Sequence, residues 1–115
     1  MDSSRKKELI NAYKQKPKNG GVFTIRSTVN DKRWIECTQD LEGMKNRFEF
    51  SVSTNVPIHY CLQEDWKALG ASTFVYEVLE ALPPQEGEGA DDYQRGLELL
   101  RDCLRQECPA DKRYM

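Results

Sequence analysis

Gly21-Val22-Phe23-Thr24-Ile25-Arg26-Ser27-Thr28-Val29-Asn30-Asp31-Lys32-Arg33-Trp34-Ile35-Glu36-Cys37 holds the strongest structural signal in the chain. Val22–Arg26 and Arg33–Cys37 are rich in β-branched and aromatic residues, which suit a pleated, half-buried surface. Between them, Val29-Asn30-Asp31-Lys32 offers the short polar side chains that tight turns use. Two short β-rich runs around an Asn-Asp turn predict an antiparallel hairpin.

Working outward, Ser3 or Ser4 is placed to cap a helix with Leu9, Ile10 and Tyr13 as its apolar stripe. Lys16-Pro17-Lys18-Asn19-Gly20-Gly21 ends that helix, because proline breaks the hydrogen-bond ladder and glycine favours a turn. Beyond the hairpin, Asp40 suits the cap of a helix through Arg47, yet Phe48–Val52 alternates with the period of a strand. Pro57 reads as the start of another helix, with Ile58, Leu62, Trp66 and Leu69 on one face and Gly70 at its end. Phe74–Glu80 is a third strand. Pro83-Pro84 and a Gly/Glu-rich loop then lead to a helix over 91–106 with Leu97, Leu100 and Leu104 turned inward. The expected class is α+β, a small three-stranded antiparallel sheet flanked by helices.

The chain is 115 residues long, 38% hydrophobic and 31% charged, enough for one core under a well-solvated surface. No run approaches the roughly 18 apolar residues of a membrane span, and the first residues lack an apolar signal-peptide centre. A soluble, cytoplasmic protein is the expectation, with no membrane partner. Cys37, Cys61, Cys103 and Cys108 include no C-x-x-C pair, and His59 is the sole histidine, so no zinc pattern forms. They read as reduced thiols, mostly buried, with a redox role for Cys103 and Cys108 as the alternative. The formal net charge is −2, unevenly spread. Met1–Ile35 carries nine Lys/Arg against three Asp/Glu, a net +6, which leaves −8 for the remainder, much of it in Glu77–Asp92. A basic end on an acidic body can steer an anionic partner, or can simply form two oppositely charged faces.

Gly21-Val22-Phe23 and Trp34-Ile35-Glu36 resemble divergent copies of the GIY and YIG signatures of the GIY-YIG endonuclease superfamily. Leu62–Leu82, LQEDWKALGASTFVYEVLEAL, is similar to that family's amphipathic helix and third strand. The likeness implies a GIY-YIG-like domain over 18–107, preceded by an N-terminal helix and linker (1–17) and followed by a tail (108–115). It also implies a tyrosine accepting the proton of the attacking water and a second tyrosine supporting it. An arginine would stabilise the phosphate, and a glutamate would hold one divalent metal, Mg²⁺ or Mn²⁺.

This sequence departs at nearly every one of those positions. Phe23 stands at the first tyrosine without a hydroxyl, and Trp34 at the second with an indole N–H that only donates. Glu36 replaces the signature glycine, adding negative charge where phosphate would approach. The arginine position matches Met44. Lys45 and Arg47 lie one and three residues on, rotated by about 100° and 300° on a helix, so Arg47 is the nearer substitute. The metal position falls at Leu99 or, one residue earlier, at Glu98. No cofactor is expected unless cleavage survives.

The first reading is therefore a non-catalytic nuclease-like domain with a degenerate active site. It would bind nucleic acid through Arg26, Lys32, Arg33, Lys45 and Arg47, with exposed Phe23 or Trp34 stacking on bases, or would bind a protein; the other reading of Phe23 and Trp34 is as hydrophobic plugs filling the place of an active-site cleft. A divergent metal-dependent DNA endonuclease using Arg47 and Glu98 is the second reading. A small protein–protein interaction module presenting Glu77–Asp92 to a basic partner is the third. His59 has no evident Cys, Ser or Asp companion and reads as a surface or cap residue. Gly87 and Gly89 are separated by Glu88, which would repel phosphate.

Overall fold

The hairpin forms where the β-rich runs lie. The computed structural model describes residues 19–114, so the helix expected over 1–17 lies outside the described residues. Strand β1 (Gly20–Ser27) pairs antiparallel with β2 (Arg33–Thr38), from Gly21↔Thr38 to Arg26↔Arg33. Side chains within the turn fix it: Ser27 Oγ accepts from the Val29 N–H at 3.2 Å and Asn30 Oδ1 from the Lys32 N–H at 3.0 Å. Asp31 takes a left-handed φ of 60°, which a short polar side chain tolerates.

Strand β3 (Phe74–Leu82) runs two residues beyond the expected Glu80 and pairs antiparallel with the other side of β1. The order β2-β1-β3 makes β1 the central strand. Gly21 lies where β1 presses closest on β3, and a Cβ there would collide with the Glu80 carbonyl. Beside it the β1–β3 register slips between Val22 and Phe23, a bulge that bends the edge strand. The glycine that heads the first signature is thus required by backbone approach.

Helix α1 spans Leu41–Thr54, and Asp40 caps it as expected, Oδ1 accepting from the Gly43 N–H at 3.0 Å. It continues straight through Phe48–Val52, so the period-two pattern there does not mark a strand. Leu41, Met44, Phe48 and Val52 recur at helical spacing against the core, while Phe50 is left exposed on the solvent side. That one outward apolar residue creates the apparent alternation.

The helix expected from Pro57 begins later. His59 is extended (φ −147°, ψ 146°), and its Nδ1 accepts from the Cys61 N–H, so the chain first makes a 3-10 turn at Tyr60–Leu62. Helix α2 then spans Gln63–Leu69, and Gly70, at φ 92°, ends it as anticipated. Phe23, Ile25, Trp34 and Phe74 of the sheet pack with Phe48, Leu62, Trp66 and Ala71 into one core.

Helix α3 (Ala90–Glu107) lies against β1 and β2, on the side where Val22, Thr24 and Ile35 alternate with the core residues. Leu97 is fully buried, whereas Leu100 and Leu104 are half-buried. Tyr93 fastens the start of this layer. Its hydroxyl accepts from the buried Gly20 N–H at 3.0 Å and donates to the Leu82 carbonyl at 2.6 Å, joining both outer ends of β1 and β3. Behind α3 the chain turns back, and Arg113 forms a parallel bridge with Arg33 of β2. Tyr114 donates its hydroxyl to Asp65 at 2.7 Å and its N–H to the Arg33 carbonyl at 3.0 Å.

Tyr93→Phe leaves two backbone groups without their partner at nearly constant volume. We expect urea unfolding to show a loss of about 1–3 kcal/mol with an unchanged m-value. A loss below the error of extrapolation would mean that water replaces the hydroxyl.

Candidate functional site

Phe23 and Glu36 are register partners in the hairpin, and so are Ile25 and Trp34, so the signature positions share the core face of the sheet. Phe23 has no exposed surface and Trp34 is 5% exposed. Neither ring is available to stack on a base, contrary to that expectation, because α1 and the 3-10 turn cover this face. Phe23 meets Trp34 edge-on at 5.6 Å and stacks on Tyr76 of β3 at 5.5 Å. His59 stacks on Trp34 at 4.6 Å, and Tyr60 tilts against His59 at 4.3 Å.

The groups beside Phe23 that carry a titratable proton are otherwise engaged. Tyr76, the phenol against Phe23, donates to the Leu41 carbonyl at 2.8 Å, and burial, with the charge of Asp40, pushes it up to about 12. His59 receives the Cys61 N–H on Nδ1, which places the proton of the neutral ring on Nε2 and leaves no acceptor for a water proton. Burial pushes the Cys61 thiol up to about 11, so it stays protonated near neutral pH. All four cysteines are free, but none is fully buried as expected: Cys37, Cys61 and Cys108 are half-buried and Cys103 is exposed, because they lie on the β2 edge, the 3-10 turn and the outer side and end of α3 rather than in the core.

Glu36, at the signature glycine, reaches around the β2 edge to α3. Arg101 Nη1 approaches Oε1 at 2.9 Å and Arg105 Nη2 approaches Oε2 at 3.2 Å. Burial alone would raise this carboxyl. The Cys37 N–H and the Arg101 guanidinium bond it, and the charges of Arg101 and Arg105 add to them, so it is held below the usual value. The same residues occupy the outward backbone groups of β2. Arg105 Nε donates to the Ile35 carbonyl at 2.9 Å, and Glu36 accepts from the Cys37 N–H at 3.0 Å. With Tyr114 on Arg33, this edge offers little to a pairing strand.

The remaining residues singled out from the sequence disperse. Met44 packs half-buried against the core, and Arg47 is exposed on α1 beside Asn46 and Phe50. Arg26 is held by Glu77 at 2.7 Å and Asp31 at 3.4 Å, and Arg33 lies 3.7 Å from Asp31. Lys32 sits over the Tyr114 ring at 5.6 Å, and Lys45 is exposed. Glu98 accepts from Gln94 at 3.1 Å on α3. Among the described residues no three His, Cys, Asp or Glu gather as a metal centre of protein ligands would. A Mg²⁺ held by one carboxylate and substrate phosphates needs fewer, but Glu98 by itself does not define such a site.

His59 caps the 3-10 turn, as a cap residue was expected to, but sequence reading missed its stacking on Trp34 and missed Tyr76, Arg101 and Arg105. For the arginines a signal existed: residues four apart on a helix lie one turn above another and can share one carboxylate.

Because the Glu36 carboxyl is depressed in the folded state, it contributes stability in full above the unfolded value of about 4.3 and loses it as pH falls through the folded value. Glu36→Gln should therefore lower the urea midpoint near neutral pH, and the gap to the parent should close in acid. A gap that stays constant with pH would show that the ion pairs do not supply it.

The sequence matches no protein-family model, and no curated protein matches it. Among solved structures the chain is similar to the catalytic domain of the homing endonuclease I-TevI, at 19% identity over 74% of this chain and 91% of that one, with a TM-score of 0.48. A mutant of the catalytic domain of intron endonuclease I-TevI gives 19% identity, 75% and 88% coverage and a TM-score of 0.47. The likeness is a distant one, of fold alone.

Proposed function

We propose that this chain is a GIY-YIG-like domain without cleavage chemistry that works as a nucleic-acid-binding module. The observation that carries the reading is the burial of Phe23 and Trp34 at the two signature tyrosine positions. A phosphodiester must approach within hydrogen-bond reach of the proton acceptor and the charge stabiliser. Here the two positions are core aromatics, Trp34 is roofed by His59, and Met44 stands for the arginine.

The nearby phenol of Tyr76 does not repair the loss, since its hydroxyl is bonded to backbone and its proton is held tightly. Arg101 and Arg105 do not supply a free cation, since Glu36 engages both. Removing a single oxyanion-stabilising group costs about 10²–10³ in rate, and here several roles fall vacant together.

Supercoiled plasmid incubated with Mg²⁺ or Mn²⁺ at high protein concentration should remain intact over hours, and reproducible nicking would overturn the non-catalytic reading. Fluorescence anisotropy at low ionic strength should detect binding of labelled single- or double-stranded oligonucleotides, weakening as salt rises. No binding of either would overturn the nucleic-acid reading.

A further inference from the structure

We infer that nucleic acid binds as a single strand, along a track of two hollows on either side of Pro57; this rests on the nucleic-acid reading above. The first hollow, of about 480 Å³, lies between α1 and the following loop and is lined by Asn46, Arg47, Phe50, Ser51, Pro57 and Ile58. The second, of about 310 Å³, shares Pro57 and adds Asn55, Gln63, Trp66, Lys67 and Gly70. Neither is lined by a carboxylate, although the chain from Glu36 onward carries a net −8. Each holds one cation, Arg47 in the first and Lys67 in the second, with no ion pair among the described residues. By contrast Arg26, Arg33, Arg101 and Arg105 each approach a carboxylate.

The apolar part of the track fits bases. Phe50 is 69% exposed in the wall of the first hollow. Val56 and Tyr60, 58% and 73% exposed, flank the segment that carries Pro57 and Ile58. Large apolar side chains left in water in one neighbourhood mark an interaction surface. An aromatic ring accepts the face of any base, and the amides of Asn46, Asn55 and Gln63 can donate to or accept from base edges and sugar. Trp66, almost wholly buried, also lines the second hollow, and its indole N–H has no acceptor.

The charge accounting selects the strand form. A duplex hides its base faces and offers phosphates, which the two cations of the track neutralise poorly. An unpaired strand offers both chemistries. Two phosphate contacts on a single strand predict a shallow salt dependence, with log K against log salt sloping at about −1.4.

The test is anisotropy with a fluorescein-labelled oligothymidylate of about 12 nucleotides, within the usual range of single-strand sites, and a duplex of the same length. The single strand should bind more tightly. Phe50→Ala should weaken it by about tenfold or more, and Tyr60→Ala should also weaken it. Arg47→Gln should flatten the salt slope by about 0.7. Leu99→Ala, which removes an exposed apolar residue on α3, should change nothing. Tighter binding of the duplex, or single-strand binding indifferent to Phe50 and Arg47, would overturn the track and leave the nucleic-acid reading standing. No binding of either probe would overturn both. Self-association in sedimentation that Phe50→Ala abolishes, without oligonucleotide binding, would assign the groove to a second copy of the chain.

Discussion

One aromatic contact organises this molecule: the ring of Phe23, on the central strand, lies between Trp34 of β2 and Tyr76 of β3. Each strand supplies one ring, so the contact fixes both registers at once on the face that α1 and α2 cover. Edge-on and stacked arrangements are the favourable geometries for such rings and add to the area they bury. Chemical consequences follow from the same packing. A hydroxyl added at Phe23 would enter a site without solvent, where an oxygen needs a partner of its own. The side chain that holds the sheet together is therefore closed to polar chemistry by its own packing.

Electrostatics divide the surface just as sharply. Arg26, Arg33, Arg101 and Arg105 face carboxylates between β1 and β3, at the hairpin turn and between β2 and α3. The Glu36 pairs with Arg101 and Arg105 clasp the edge strand β2 to α3, and Arg105 also covers the Ile35 carbonyl. A basic residue engaged in this way gives little long-range attraction to a polyanion. The two hollows on either side of Pro57, at the junction of α1 and the loop before α2, have no carboxylate in their linings.

Much of this was legible along the chain because it depends on neighbours. Asp40 precedes a helical stripe and caps it, Gly70 ends α2, and the Asn-Asp turn joins the two strands. The resemblance of the hairpin singled out Phe23, Trp34 and Met44, and all three pack into or against the core. What could not be read depends on distant partners. Nothing near His59 says that Trp34 lies beneath it, and nothing near Glu36 points to arginines some 65 residues away. Phe50 misled for a related reason, since an outward-facing apolar residue in a helix imitates strand alternation when its surroundings are unknown. Burial decided the fate of Phe23 and Trp34 as stacking residues, and burial is set by α1 and the 3-10 turn.

The clasp at Tyr114 bears on how the chain is made. Its bonds to Arg33 and Asp65 close loops over most of the described chain, and they cannot form until residue 114 has been synthesised. A ribosome adding about 5–20 residues each second presents the hairpin seconds before its last clasp arrives. During that interval the start of β2 has an open carbonyl and Asp65 lacks its phenol. The nascent molecule thus passes through a stage with a sticky sheet edge, which synthesis speed, rather than equilibrium stability, keeps brief.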